Sequence, residues 1–298
     1  MIVYLDQNKW IELAKIYHGK LSSPEDAAYL KEIKASIECG YKYPLSAIHY
    51  MEFSRISNVG RRKRLGEVMW KYSKGKTLAS TEEITIKEIE TSLKQFFPNI
   101  KPRPLSLIGN GIEHAFGESL GKTLPDWINS TIDEAILKGY DGFNIEPISH
   151  SSTKHRESFR SHLDSLHQTK AKLDKSKWEN WLYAMAIKDI RNPLAMVMKA
   201  NDIDKDAFEN FSVDQFNKFV DAMPSRSLDL HLHRQVLKNP NYKPKISDLE
   251  DWSGLGIAAC YCDIVVCEKH FASMLKRDKF KTHARVVTSL YEIFDNVA

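Results

Sequence analysis

A chain of 298 residues with 42% hydrophobic and 28% charged side chains has the apolar mass for one elaborated domain or two packed ones, which excludes a disordered or fibrous protein. Its 43 Lys and Arg against 39 Asp and Glu leave a net charge of +4, so overall charge declares no nucleic-acid partner and any basic surface has to be local. No secretory leader and no apolar run of about 20 residues stands out, so a soluble, cytoplasmic protein without a membrane partner is expected.

The chain opens on Ile2-Val3-Tyr4-Leu5-Asp6, an apolar run ended by a carboxylate, and reads as a first strand with an acid at its carboxyl tip. Trp10, Leu13, Ala14 and Tyr17 then form one stripe of a short helix. Ser23 as N-cap, Pro24 at the first helical position and Asp26 at the third predict a helix that Gly40 closes. Tyr41 to Leu45 reads as a second, short strand, and Ser46 as the cap of a helix carrying Glu52 and Arg55. This β-α-α-β-α order favours a parallel sheet covered by helices.

Residues 76–225 read as a mostly helical insertion, broken by Pro98, Pro102, Pro104 and Pro125 and helical around Trp178–Met185 and Phe208–Met223, without strand alternation. Strand logic returns at the end. Ser247 to Glu250 has the form of a capping box opening a helix through Ala259, Asp263-Ile264-Val265-Val266-Cys267 reads as a buried strand, and Arg285–Thr288 as one more before a short helix from Leu290 to Phe294. The expected organisation is a discontinuous α/β core, 1–75 and 226–298, interrupted by the insertion.

Three acids occupy comparable places: Asp6 after the first strand, Glu52 on the helix after the second, and Asp251 in the first turn of the helix before the Ile264 strand. If those strands are parallel and adjacent, the acids converge, and clustered carboxylates repel one another unless a hard cation such as Mg2+ or Mn2+ neutralises them. Taken singly, each acid also reads as an ordinary turn or helix-cap residue.

With these residues in this order, the chain resembles the PIN-domain nucleases, VapC-type toxins among them. The resemblance rests on Ile2 to Asp6, on Leu45-Ser46 leading to Glu52, and on Asp251 placed before Gly256-Ile257-Ala258-Ala259 and Ile264 to Phe271. It covers about half of the chain. It implies a three-layer sandwich around a central parallel sheet, and an endoribonuclease in which Asp6, Glu52 and Asp251 hold Mg2+ or Mn2+ to hydrolyse single-stranded RNA, in a toxin or defence setting with an antitoxin or accessory partner or as a homo-oligomer. The chain departs from the family at the fourth acid: Cys267 stands in the usual Thr place and Lys269 in the usual acidic place, leaving Glu268, Asp263 or Asp248 as replacements. A degraded site that only binds nucleic acid, and a nuclease acting on DNA, are the alternatives.

Gln7 and Asn8 beside Asp6 read as nucleotide or water contacts or as caps. Arg55, Arg61, Arg62 and Arg64, followed by Trp70 and Tyr72, read either as a phosphate-tracking stretch or as a solvated helix face, and Lys269 and His270 as a second basic group. Arg156 to His162 has an R-x5-H spacing that resembles the HEPN ribonucleases. His231 and His233, on a segment helical in pattern, read as structural, and Cys39, Cys260, Cys262 and Cys267, without C-x2-C spacing, read as small buried apolar residues rather than metal ligands.

Overall fold

A computed structural model describes residues 1–21, 23–117, 125–149, 153–239, 241–242 and 245–295. In chain order its elements are β1 (Val3–Leu5), α1 (Gln7–Tyr17), α2 (Pro24–Glu38), α3 (Ala47–Ser54), α4 (Val59–Ser73), β2 (Lys76–Leu78), α5 (Thr81–Leu93), β3 (Ile108–Asn110), α6 (Gly111–Phe116) and α7 (Asp126–Lys138). Then follow α8 (Thr153–Lys172), α9 (Trp178–Asp189), α10 (Arg191–Ala200), α11 (Lys205–Glu209), α12 (Val213–Asp221), α13 (Pro224–Lys238), α14 (Ile246–Tyr261), β4 (Ile264–Val266), α15 (Lys269–Lys276) and β5 (Arg285–Val287). The protein is mixed α/β, mostly helical, and divides into two compact units.

The first unit takes 1–80, 107–154 and 253–298. Its sheet is parallel in the order β1-β4-β5, with Val3 opposite Ile264 and Leu5 opposite Val266, so the first strand lies directly beside a strand from near the end of the sequence. The segment expected as a second strand makes two isolated parallel bridges, Ile2 with Lys42 and Leu45 with Thr77, and so links β1 to β2. β2 pairs antiparallel with β3. The pattern reading missed this pair, because three-residue strands are too short to show alternation. Pairing with β2 brings β3 to the sheet unit, and α7 comes with it by packing on α4, so 107–154 group with the sheet and not with the helices that the sequence placed around them.

Local chemistry sets the helix starts. Ser23 and Asp26 form a reciprocal capping box with Pro24 at the first position of α2. At Gly66 the backbones of α4 and α7 approach so closely that a Cβ would lie 1.9 Å from the Leu137 carbonyl oxygen. Val3, Leu5, Trp10, Leu13, Phe53, Val68, Val266 and Leu290 form the buried core under the sheet.

The second unit takes 81–106 and 155–252 and is built of helices. The buried Glu88 carboxylate accepts from Ser225 N–H at 2.9 Å and from Ser225 Oγ at 2.5 Å, filling the role of a cap at the start of α13, and Ser92 Oγ donates to the Phe219 carbonyl at 2.6 Å. The stretch expected as helical from Phe208 to Met223 holds the end of α11 and all of α12, and the Ser212–Gln215 capping box restarts the chain between them. α14 crosses the division: its residues to Trp252 belong to the second unit and those from Ser253 to the first.

Candidate functional site

Parallel strands gather ligand-binding residues at their carboxyl ends. In the first unit that edge carries Asp6 after β1, and Cys267 and Glu268 after β4. Asp6 N–H still bonds the Val266 carbonyl at 2.9 Å, so its backbone closes the ladder while its side chain caps α1, Oδ1 accepting from Gln7 N–H at 2.8 Å. The helix-cap reading of this acid is realised by this geometry.

The Asp6 carboxyl is 6% exposed, and burial, with the Glu268 carboxylate nearby, pushes its pKa up to about 6 against the opposing Gln7 N–H and the Lys9 ammonium. Lys9 itself is paired with Glu12 at 2.9 Å. Glu268 is the N-cap residue of α15 and accepts from Asn8 Nδ2 at 2.7 Å, which ties the first turn of α1 to the start of α15. Beside it both amide atoms of Gln7 are buried without a hydrogen-bond partner. A buried, unpartnered amide next to a buried acid marks a place where water or a ligand completes the structure.

Glu52 sits half-buried on α3, and its charge acts with that of Asp6 on the Tyr4 phenol, whose pKa burial already raises. What fixes α3 against β1 is a side chain to which the sequence reading gave no role. His49 is buried, receives Ser46 N–H on Nδ1 at 2.9 Å, and through Nε2–H donates to the Leu5 carbonyl at 2.8 Å. Its ring stacks on Tyr4 at 4.9 Å, and Tyr4 Oη bonds Ser46 Oγ at 2.9 Å. Burial depresses its pKa to about 4, so it holds both backbones as a neutral imidazole. The S-x-x-H spacing at the cap was the signal that could have found it.

Asp263 lies at the opposite end of its strand. Asp263 precedes β4, and because β4 runs parallel to β1 this places it at the amino edge, where it accepts from Ile2 N–H at 2.6 Å and faces His283 at 3.8 Å. The whole of β4, about 10 Å, separates it from the Asp6 edge. Asp248 accepts from Tyr242 Oη at 2.8 Å and from Lys245 N–H at 3.0 Å, so it caps the start of α14, and Ser247 lies inside that helix and not at its cap. Asp251, half-buried, lies on the same helix, on the second-unit side of the division. Among the described residues, no three His, Cys, Asp or Glu side chains are already gathered as an ion-binding group. All four cysteines are free thiols; Cys262 and Cys267 are buried as expected, Cys260 is half-buried, and Cys39, at the carboxyl end of α2, is exposed and corrects that expectation.

Of the basic candidates, Arg61 and Arg64 are exposed, but Arg62 is buried and donates from Nη1 to the Ile56 carbonyl, which makes it a structural cation. Arg55 is half-buried, and Lys269 and His270 are exposed on the first turn of α15. In the second unit His162 Nε2 meets His233 Nε2 at 2.8 Å, and His233 Nδ1 bonds the Asp229 carbonyl at 2.8 Å, a contact that i to i+2 reasoning about His231 and His233 could not foresee. The Arg156 side chain of the R-x5-H motif lies outside the described residues. Comparison with known protein-family models, with curated proteins and with solved structures gives no match to this chain.

Proposed function

We propose that the protein is a divalent-metal-dependent phosphodiesterase that hydrolyses single-stranded RNA, built on a PIN-like sheet, with Asp6, Glu52 and Glu268 as the oxygen donors that the first unit offers to Mg2+ or Mn2+. The observation that carries this reading is the edge itself: a buried acid at the carboxyl end of a parallel strand, a second acid near enough to raise its pKa, and an unpartnered buried amide beside them. A hard, oxygen-only donor set suits Mg2+ or Mn2+ and does not suit a thiophilic metal. When bound, the ion would supply a lowered water pKa and charge neutralisation at the scissile phosphate.

The chain's own groups have defined tasks in this scheme. Asp6 is held by its cap bond and its place in the β1–β4 ladder, and Asn8 orients Glu268. His49 acts as a positioning residue that locks α3, and so Glu52, to the end of β1. Asp251 is carried on the helix that enters the first unit at Ser253, and its variant belongs in the test. A cytoplasmic setting, in which free thiols persist, is part of the same reading.

The test is cleavage of a labelled single-stranded RNA with Mn2+ and with chelator by wild type, Asp6→Asn, Glu268→Gln and Asp251→Asn. Activity that needs the metal and falls at least a hundredfold in Asp6→Asn is expected. Equal cleavage in every sample, or none by wild type in Mn2+, refutes the proposal. A toxin or defence role adds one expectation: growth arrest on expression, relieved by Asp6→Asn.

A further inference from the structure

The run Arg61-Arg62-Lys63-Arg64 is not one basic patch. Arg62 is buried under the carbonyl of Ile56, and Lys63 is neutralised by Asp141 at 2.7 Å and Glu146 at 3.4 Å. Only Arg61 and Arg64, three residues apart on one face of α4, remain open, and they line a cavity of about 340 Å³ with Lys15, His18 and Lys20 from the end of α1 and the residues after it. Ile11 and Leu65 form its apolar floor. Among the described residues, Lys15, Lys20, Arg61 and Arg64 make no ion pair, and the acid nearby is Glu67, 3.7 Å from His18 Nε2. Four uncompensated cations around a concavity focus a positive potential that an extended polyanion satisfies better than isolated ions do.

We propose that this α1–α4 groove binds the phosphodiester backbone of a single strand of nucleic acid. α1 supplies the geometry: from its N-cap Asp6 to Lys15 is nine residues, about 14 Å along its axis at 1.5 Å per residue. At the 3.4 Å per nucleotide of a stacked strand this is about four nucleotides from the acidic edge. Ammonium and guanidinium groups read phosphate charge and not the sugar, so RNA and DNA bind alike here and the choice between them is made elsewhere. As a substrate groove the site rests on the nuclease reading; as a binding site it is measured without it.

The test is fluorescence anisotropy with a labelled 12-nucleotide RNA, the same sequence as DNA, and polyglutamate, all in chelator, with salt titrated. Arg61→Ala/Arg64→Ala and Lys15→Ala/Lys20→Ala are each expected to lower the slope of log K against log salt by about 1.4, at roughly 0.7 per cation on a single strand, while the exposed pair Lys31→Ala/Lys34→Ala leaves it unchanged. Thermal midpoints within 2 °C of wild type would show that the variants are folded. An unchanged slope in both groove variants, or polyglutamate binding as tightly as RNA, overturns the proposal. Oligonucleotide binding that survives in Asp6→Asn while cleavage is lost supports the groove and the metal site separately. Groove variants that still cleave at the wild-type rate but bind with an unchanged slope sink the groove alone.

Discussion

Replacing Asp6 with Asn is expected to stabilise the metal-free protein at neutral pH, and by an amount the structure sets. The carboxyl is 6% exposed, and its pKa rises from 3.8 to about 6 on folding, so roughly two units at 1.36 kcal/mol each give about 3 kcal/mol. A raised folded pKa means the native state holds the proton more tightly: the stabilisation is complete below pH 4 and is lost as pH rises through about 6. His49 works against it in the same window. Its pKa falls from 6.5 to about 4, so its contribution is present above pH 6.5 and is lost as pH drops through 4, again by about 3 kcal/mol. The two nearly cancel in wild type, and the quantity to read is the difference between Asp6→Asn and wild type. Asn can still accept from Gln7 N–H, so the α1 cap survives. Thermal denaturation in chelator between pH 4 and 8 should show the variant more stable by about 3 kcal/mol at pH 8, some 6–10 °C for a domain of this size, and indistinguishable from wild type at pH 4. A variant less stable at pH 8, or a gap that does not close on acidification, would refute the account of Asp6 as a buried, repelled acid.

Three further outcomes follow from particular contacts. Gly66→Ala drives a methyl into the Leu137 carbonyl, where neither backbone can yield, and should cost about 3 kcal/mol in chemical denaturation. Arg62→Met removes a buried charged donor from the Ile56 carbonyl and should cost roughly 2–3 kcal/mol, yet leave the salt slope of oligonucleotide binding at the wild-type value. His49→Phe keeps the ring against Tyr4 but strands Ser46 N–H and the Leu5 carbonyl. A loss of about 2–4 kcal/mol together with weaker Mn2+ binding in calorimetry is expected, and unchanged Mn2+ affinity would remove its positioning role.

What the sequence disclosed was local. Ser23, Pro24 and Asp26 announce α2 because a capping box is complete within four residues, and Ile264 to Val266 read as a buried strand because every residue is apolar and β-branched. Asp6 was legible for the same reason, as an acid ending the first apolar run. The rest depended on pairing. Asp263 and Glu268 flank one strand and look equivalent on paper, but the parallel register of β4 on β1 sends one to the amino edge and the other beside Asp6. Arg62 differs from Arg61 and Arg64 only by its face of α4, which the packing of that helix decides. The rule that ligands collect at carboxyl ends would have removed Asp263 from the candidates, since it precedes its strand.

Between the proposed metal-dependent nuclease and its binding-only alternative, the discriminating residue is Lys269. On the PIN-like proposal, a lysine in the expected acidic place would disable the proposed site if its ammonium neutralised Asp6. The geometry gives that ammonium no such role: it is exposed on the first turn of α15, and the charges that act on Asp6 are Glu268, which raises its pKa, and Lys9, which is already paired with Glu12. Asp6 therefore stays a buried acid whose ionised form costs about 3 kcal/mol at neutral pH, through burial first and the Glu268 charge second. This predicts opposite results for neighbouring residues. Lys269→Ala should leave Mn2+ affinity within about twofold, while Glu268→Gln should weaken it about tenfold or more by removing a donor charge. Calorimetry that finds the reverse order would show that α15 contributes its lysine and not its glutamate to the site, and the degraded, binding-only reading would then stand.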